Sequence, residues 1–271
     1  MLQSRPESVT LARSMVAGIA QGAGLEERSL NALRTTISEA SNNVVVHAYR
    51  EMPGPLSISI VILPNGIDVL VEDQGGGIQR TVPSSDRMGL GLPVISSLAD
   101  RAEFSSRPGG GTEVRLFFRQ SDPPLQEDPW PSVDQHLDEP VGLSGDVVVS
   151  VMPISLLVHI LGRLSRALAA QSHFRVSRIS DLRDITQTIA LHAENQAGSG
   201  PIWFSLDASS RRLELSVGPF GHGAATAAGL AAAAAGGARL ADLVDDLAVD
   251  RYGDHEFLRL VVADDCGGQN H

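Results

Sequence analysis

Glu39-Ala40-Ser41-Asn42-Asn43 and Asp73-Gln74-Gly75-Gly76-Gly77 are the two stretches on which the reading of this chain turns. The first lies in a segment whose apolar residues, Leu30, Leu33, Ile37, Ala40, Val44 and Ala48, recur at helical spacing. Glu39 and Asn43 therefore share one face, a single turn apart. The second follows the alternating run Ile67 to Glu72, which has the period of a strand, so Asp73 ends a strand and three glycines open a loop. A helix that carries polar side chains on one face, next to a strand that ends in a glycine loop, implies a layered α+β unit.

The flanking sequence extends that unit. Residues 6–22 read as an amphipathic helix with Val9, Leu11, Ala12, Met15, Val16 and Ile19 near helical spacing, bounded by Ser8 and the Gly22/Gly24 pair. The second helix is predicted over 26–49. Pro53-Gly54-Pro55 then breaks the chain, Leu56 to Leu63 alternates, and Pro64-Asn65-Gly66 turns into the strand already described. Leu90 to Leu98 predicts a third helix, and Ala102-Glu103-Phe104 and Glu113 to Phe118 predict two more strands. The expected fold is an α+β sandwich, with helices over one face of a mixed sheet.

Composition limits the class of protein. The 271 residues favour two domains, and 42% hydrophobic with 20% charged residues is ordinary for a chain that buries true cores. A net charge of −11 argues against nucleic acid or an anionic membrane surface as a main partner. With Cys266 the single cysteine, no disulfide forms within the chain and no zinc cluster is possible, which points to the cytoplasm. The start, Met1 to Pro6, lacks the basic and apolar regions of a signal peptide. The most apolar run, Ala224 to Ala238, is interrupted by Gly229, Gly236 and Gly237 and does not reach the ~20 residues of a membrane helix.

The chemistry gathers in four segments: the helical pair, the glycine loop after Asp73, Gly89-Leu90-Gly91-Leu92, and Gly109-Gly110-Gly111-Thr112-Glu113. A carboxamide oxygen such as that of Asn43 suits magnesium, which takes oxygen ligands while bridging phosphates. Glu39, one turn away, is placed to orient or deprotonate an attacking hydroxyl. Taken alone, the pair is better read as a polar helix face with a terminal Asn pair. A buried aspartate at a strand end can accept from an exocyclic amine such as adenine's, and glycines allow the backbone to approach a ligand closely. Gly89 to Leu92 has the form of a hinge before a helix whose amides hold phosphate, and Thr112 offers a hydroxyl. Each of these also has an ordinary reading as a turn or a joint. The order and spacing of the four together carry the signal.

As a set they resemble the GHKL ATPase superfamily, and more closely its small anti-sigma-factor serine/threonine kinases. The N box is matched by Ser38-Glu39-Ala40 through Asn43 to His47-Ala48-Tyr49, and the G1 box by Asp73 to Gly77. The G2 box is matched by Met88 to Leu92 and the closing Gly-Thr element by Gly111-Thr112. The resemblance covers residues 1–119 and implies the Bergerat α/β sandwich. It further implies ATP with Mg2+ on Asn43, Glu39 as base and Asp73 on the adenine amine. Gly75, Gly77, Gly89, Leu90, Gly91, Leu92 and Thr112 would complete the nucleotide site, with 78–92 as the ATP lid. His47 and Tyr49 are read as structural or adenosine-neighbouring. The implied activity is phosphorylation of an anti-anti-sigma (STAS) partner, with sequestration of a sigma factor. The alternative is an ATP-binding module that switches partners without phosphoryl transfer.

Residues 120–145 change character: Pro123, Pro124, Pro129, Pro131 and Pro140 among acidic residues predict an extended linker. Beyond it the order of elements returns, and the landmarks Pro6/Pro153, His47/His192 and Gly54/Gly200 are offset by 147, 145 and 146 residues. Residues 146–265 are expected to be a degenerate second copy without a nucleotide site. Asp184 and Thr188 stand at the positions of Glu39 and Asn43, and Gly218 at that of Asp73. An unrelated α+β domain is the competing reading. The resemblance implies a homodimer, and the duplication offers an intramolecular pseudo-dimer as the alternative. His222 and His255, beside glycines, read as loop residues and not as metal ligands.

Overall fold

A computed structural model describes residues 2–23, 26–49, 52–63, 66–76, 91–107, 110–119, 143–196, 201–230 and 239–264. The chain separates into two compact units, Met1–His136 and Leu137–His271. Most of the predicted linker and the segment 78–90 lie outside the described residues.

In the first unit a short edge strand β1 (Leu2–Gln3) precedes helix α1 (Pro6–Ala23) and helix α2 (Glu27–Asn43). Pro6 takes the first helical position, where no amide hydrogen is needed. Strands β2 (Pro55–Leu63) and β3 (Gly66–Asp73), helix α3 (Gly91–Leu98), and strands β4 (Arg101–Ser106) and β5 (Thr112–Arg119) follow. The sheet order is β4-β5-β3-β2-β1. Every pairing in it is antiparallel, where a mixed sheet was expected. The reason lies in the return after α3: β4 and β5 form a hairpin, and β5 inserts beside β3, so β4 does not pair with the strand whose direction it shares.

The period of two sorts the residues of β3 onto two faces. Ile67, Val69 and Val71 are at most 2% exposed and join Val16, Ile19, Leu33, Ile37, Ile95 and Leu116 in the apolar core. Each such side chain contributes about 1.5–3 kcal/mol by leaving water. The other face is polar: Asp68 accepts from Arg115 Nη2 at 2.8 Å, and Glu72 pairs with Arg107 at 3.1 Å. Asp73 falls on the apolar, helix-covered face.

The predicted helix over 26–49 ends early. α2 stops at Asn43, and Val44–Ala48 widens into a π-helical turn before Tyr49 becomes extended. Three successive β-branched valines weaken the α-helix here. The Ala48 carbonyl is also drawn outward to accept the Gly76 N–H at 3.0 Å.

The second unit has strand β6 (Val147–Val151), a 3-10 turn (Ile154–Leu156), helices α4 (Leu157–Gln171) and α5 (Val176–Gln196), and strands β7 (Ile202–Ser209) and β8 (Arg212–Phe220). Short helices α6 (Ala224–Leu230) and α7 (Leu240–Leu243) precede strands β9 (Asp246–Tyr252) and β10 (His255–Ala263). Its sheet order, β6-β7-β8-β10-β9, repeats that of the first unit strand for strand, again antiparallel throughout. β1 and β9 were not anticipated from the sequence. β1 has two residues, and β9 is a half-exposed edge whose side chains lack a clear apolar alternation.

Candidate functional site

The candidate site of the first unit forms where the end of β3, the π-helical turn that follows α2 and the start of β5 meet. Asp73 closes β3 with its side chain 3% exposed. Its Oδ1 accepts the Gly75 N–H at 2.8 Å, an Asx turn that bends the chain sharply out of the strand. The bend brings the glycine loop against the π-helical turn. A Cβ on Gly75 would stand 2.1 Å from the Ala48 carbonyl oxygen, so this contact requires glycine.

The loop before β5 closes the other side. Gly110 and Gly111 have φ of +106° and +98°, a region that favours glycine. A Cβ on Gly111 would lie 2.1 Å from the Asp73 carbonyl oxygen. The loop is tied by Arg107 N–H to the Gly111 carbonyl and Gly110 N–H to the Arg107 carbonyl, both at 3.1 Å. Thr112 then opens β5, paired with Ser106. Asp73 is thus held by glycines from two separate segments.

Glu39 and Asn43 are half-buried on the last turn and a half of α2, with Asn43 its final residue. The helix is fixed from behind: Arg13 Nε donates to Ser38 Oγ at 2.6 Å, and Ser38 Oγ donates to the Arg34 carbonyl at 2.6 Å. Among the described residues no cluster of three or more His, Cys, Asp or Glu side chains could hold a metal ion. A single carboxamide ligand fits a magnesium ion whose remaining positions are filled by phosphate and water.

Of the expected site residues, the fold brings Asp73, Gly75 and the Gly111–Thr112 turn together beside the π-helical turn that follows α2. Gly77, Gly89 and Leu90 lie outside the described residues. Gly91 and Leu92 open α3, which packs on α2, and Leu92 is 40% exposed.

Tyr49 has a larger part than the sequence suggested. Its hydroxyl accepts the Gln74 N–H at 2.9 Å and donates to the Pro55 carbonyl at 2.6 Å. Its ring lies over Gly54, where a Cβ would come within 2.1 Å of Cε1. Burial, and then the nearby charge of Asp73, push its pKa above 10.0, against the opposing effect of the Gln74 hydrogen bond. No sequence period signals this role, because Tyr49 lies beyond the end of the helix.

The corresponding place in the second unit is built differently. The β2–β3 and β7–β8 hairpins close on the pairs Leu63↔Gly66 and Ser209↔Arg212. That register sets Pro219 opposite Asp73, one residue from the Gly218 expected from sequence offset. Neither has a carboxylate. β8 ends in Phe220, 1% exposed, with its ring edge-on to His192 at 5.9 Å, and His192 Nε2 lies 2.8 Å from the Ala224 carbonyl. Between β8 and α7, the helix that precedes β9 as α3 precedes β4, stand the alanine- and glycine-rich residues 221–239, which include α6, where the first unit has 74–90 between β3 and α3. Val114 pairs with Val71 and Leu258 with Val217; counted along β10, Glu256 stands at the position of Thr112, but the register to β8 slips by one in between, so that Glu256 faces Phe220. Glu256 is 2% exposed, and its carboxyl is held below the usual range first by the Gly223 N–H and further by Arg251 and the Ala225 N–H. Thr188 Oγ1 donates back to the Asp184 carbonyl at 2.7 Å.

Comparison with known proteins agrees with the geometry of the first unit. The histidine kinase-like ATPase domain family matches residues 2–118. The anti-sigma F factor of Caldanaerobacter subterraneus subsp. tengcongensis is 32% identical over 123 residues, covering 42% of this chain and 86% of that protein. The anti-sigma F factor of Geobacillus stearothermophilus is 29% identical over 124 residues, covering 42% and 85%. A crystal structure of the RsbU and RsbW domains of Rv1364c from Mycobacterium tuberculosis aligns at 20% identity and a TM-score of 0.36, over 45% of this chain and 32% of its own. Through its first unit, the chain belongs to the histidine kinase-like ATPase family, in the branch of the anti-sigma F factors.

Proposed function

We propose that the protein is an anti-sigma-factor-type serine/threonine kinase that binds ATP with Mg2+, phosphorylates an anti-anti-sigma (STAS) partner and controls sigma-factor availability in the cytoplasm. The observation that carries this reading is the buried Asp73 carboxylate, held on the helix-covered face by Gly75 and Gly111 beside the π-helical turn that follows α2. A carboxylate fixed there suits recognition of an exocyclic amine, since a base without that donor would leave it unpaired. Asn43 would hold the metal, which neutralises phosphate charge. Glu39, one turn away, would take the proton of the acceptor hydroxyl. Positioning supplies most of the catalysis in such a transfer.

The second unit is proposed to be a degenerate copy without nucleotide, spanning 146–265 after a linker at 120–145. Three features support this: Pro219 stands at the position of Asp73 along the strand, Phe220 fills the core beside the β8 end with His192 against its edge, and Glu256 puts a carboxylate at the Thr112 position. It would stand in for the second protomer of a dimer, so the purified chain is expected to be monomeric by solution mass.

The deciding experiment incubates the chain with labelled ATP, magnesium and a candidate STAS partner. Glu39→Ala is expected to lower transfer by about 100-fold or more while ATP still binds. Tight ATP binding by the wild type with no label on the partner would sink the kinase reading and leave the regulatory binding module.

A further inference from the structure

The hydroxyl of Tyr49 joins three parts of the first unit. It receives the amide hydrogen of Gln74, the residue next to Asp73, and gives its own to Pro55, the first residue of β2. Gly54, under the ring, is in turn fixed to the chain start: its N–H donates to Ser4 Oγ at 2.9 Å and its carbonyl accepts the Ser4 N–H at 2.8 Å. The far side of the tyrosine is therefore anchored, and the near side holds the loop.

Only a group that both donates and accepts can bridge an N–H and a carbonyl in this way. Phenylalanine would keep the ring over Gly54 and lose both bonds. Asp73 itself has one oxygen engaged by the Gly75 N–H, so its orientation depends on where residues 74 and 75 sit. Gly75 is seated on Ala48, and Gln74 is seated on Tyr49. Both seats are given by the π-helical turn and the residue that follows it.

We infer that Tyr49 is a positioning residue for base recognition: its hydroxyl clamps Gln74 so that the Asp73 carboxylate is set for an exocyclic amine before any ligand arrives. The inference rests on the nucleotide reading of the site. A tyrosine hydroxyl is protonated, and hence able to donate, through the neutral range. A clamp of this kind acts on selectivity, because holding a carboxylate in place matters for a base with an amine and little for one without it.

The test measures binding of ADP and of the purine riboside diphosphate, which lacks the amine, to the full chain by calorimetry. The wild type is expected to prefer ADP. In Tyr49→Phe, ADP affinity should fall about three- to tenfold, the range for one hydrogen bond, with a smaller loss for the analogue. Equal losses for both ligands, or none, would overturn the inference and leave the nucleotide site standing. A wild-type chain that binds neither ligand overturns the nucleotide reading and this inference with it. Amide exchange in the nucleotide-free wild type gives an independent measure, needing no variant to fold. Gln74 should be protected relative to an open loop, and free exchange there would refute the clamp.

Discussion

Gly111 has φ of +98°, and a Cβ there would stand 2.1 Å from the Asp73 carbonyl oxygen, so two independent constraints act on one residue. Gly111→Ala is expected to lower stability by at least about 1 kcal/mol, read from the denaturant midpoint, with a loss of ATP affinity. A wild-type midpoint would show that the loop is not packed as described. Gly75→Ala meets only one of these constraints, a Cβ 2.1 Å from the Ala48 carbonyl oxygen, and should act on the loop more than on global stability. Asp73→Ala removes the amine acceptor itself. It should abolish discrimination between ADP and the amine-free analogue, measured by the same titrations.

At the scale of elements, the sheet of the first unit holds a polar pair on its open face. Asp68 is 3% exposed and relies on Arg115, with Nη2 at 2.8 Å and Nε at 3.3 Å from its carboxylate. Arg115→Met leaves that carboxylate buried without its guanidinium, and a loss of about 2 kcal/mol in chemical denaturation is expected. The helices and central strands were legible because burial on one face imposes a period on their sequence. The α2 terminus was not, since the π-helical turn arises from the loop bound to the Ala48 carbonyl. The edges β1 and β9 were also missed: a strand with one free side and partial exposure need not alternate.

For the whole molecule, the two units answer differently to ligand and to acid. One nucleotide per chain is expected by calorimetry, and ATP should raise the unfolding temperature of the first unit alone. A stoichiometry of two would overturn the degenerate-copy reading. In the second unit Asp264, 1% exposed, accepts the Arg175 N–H at 2.5 Å and Arg175 Nε at 2.6 Å. These bonds, the backbone one foremost, hold its carboxyl below 3.8. Its stabilising effect is therefore complete above the ordinary aspartate range and is lost as pH falls through the lower folded value. Glu256 has the same sign. Unfolding of the second unit should shift to lower temperature as pH falls below the ordinary carboxylate range, and Asp264→Asn should flatten that dependence.

The sequence by itself determined the class of fold, and it singled out the four candidate segments of the site and the recurring order of elements. These are set by local rules: apolar period, turn glycines and the spacing of chemically distinctive residues along the chain. The equivalence of Glu256 with Thr112, and of Pro219 with Asp73, needed strand register, because a shift of one residue changes the face on which a side chain stands. Tertiary structure alone decided the antiparallel insertion of β5, the seating of Gly75 on Ala48 and the bridge made by Tyr49. Each joins residues distant in sequence through a backbone group, and every residue carries that group alike, so no side-chain pattern announces it.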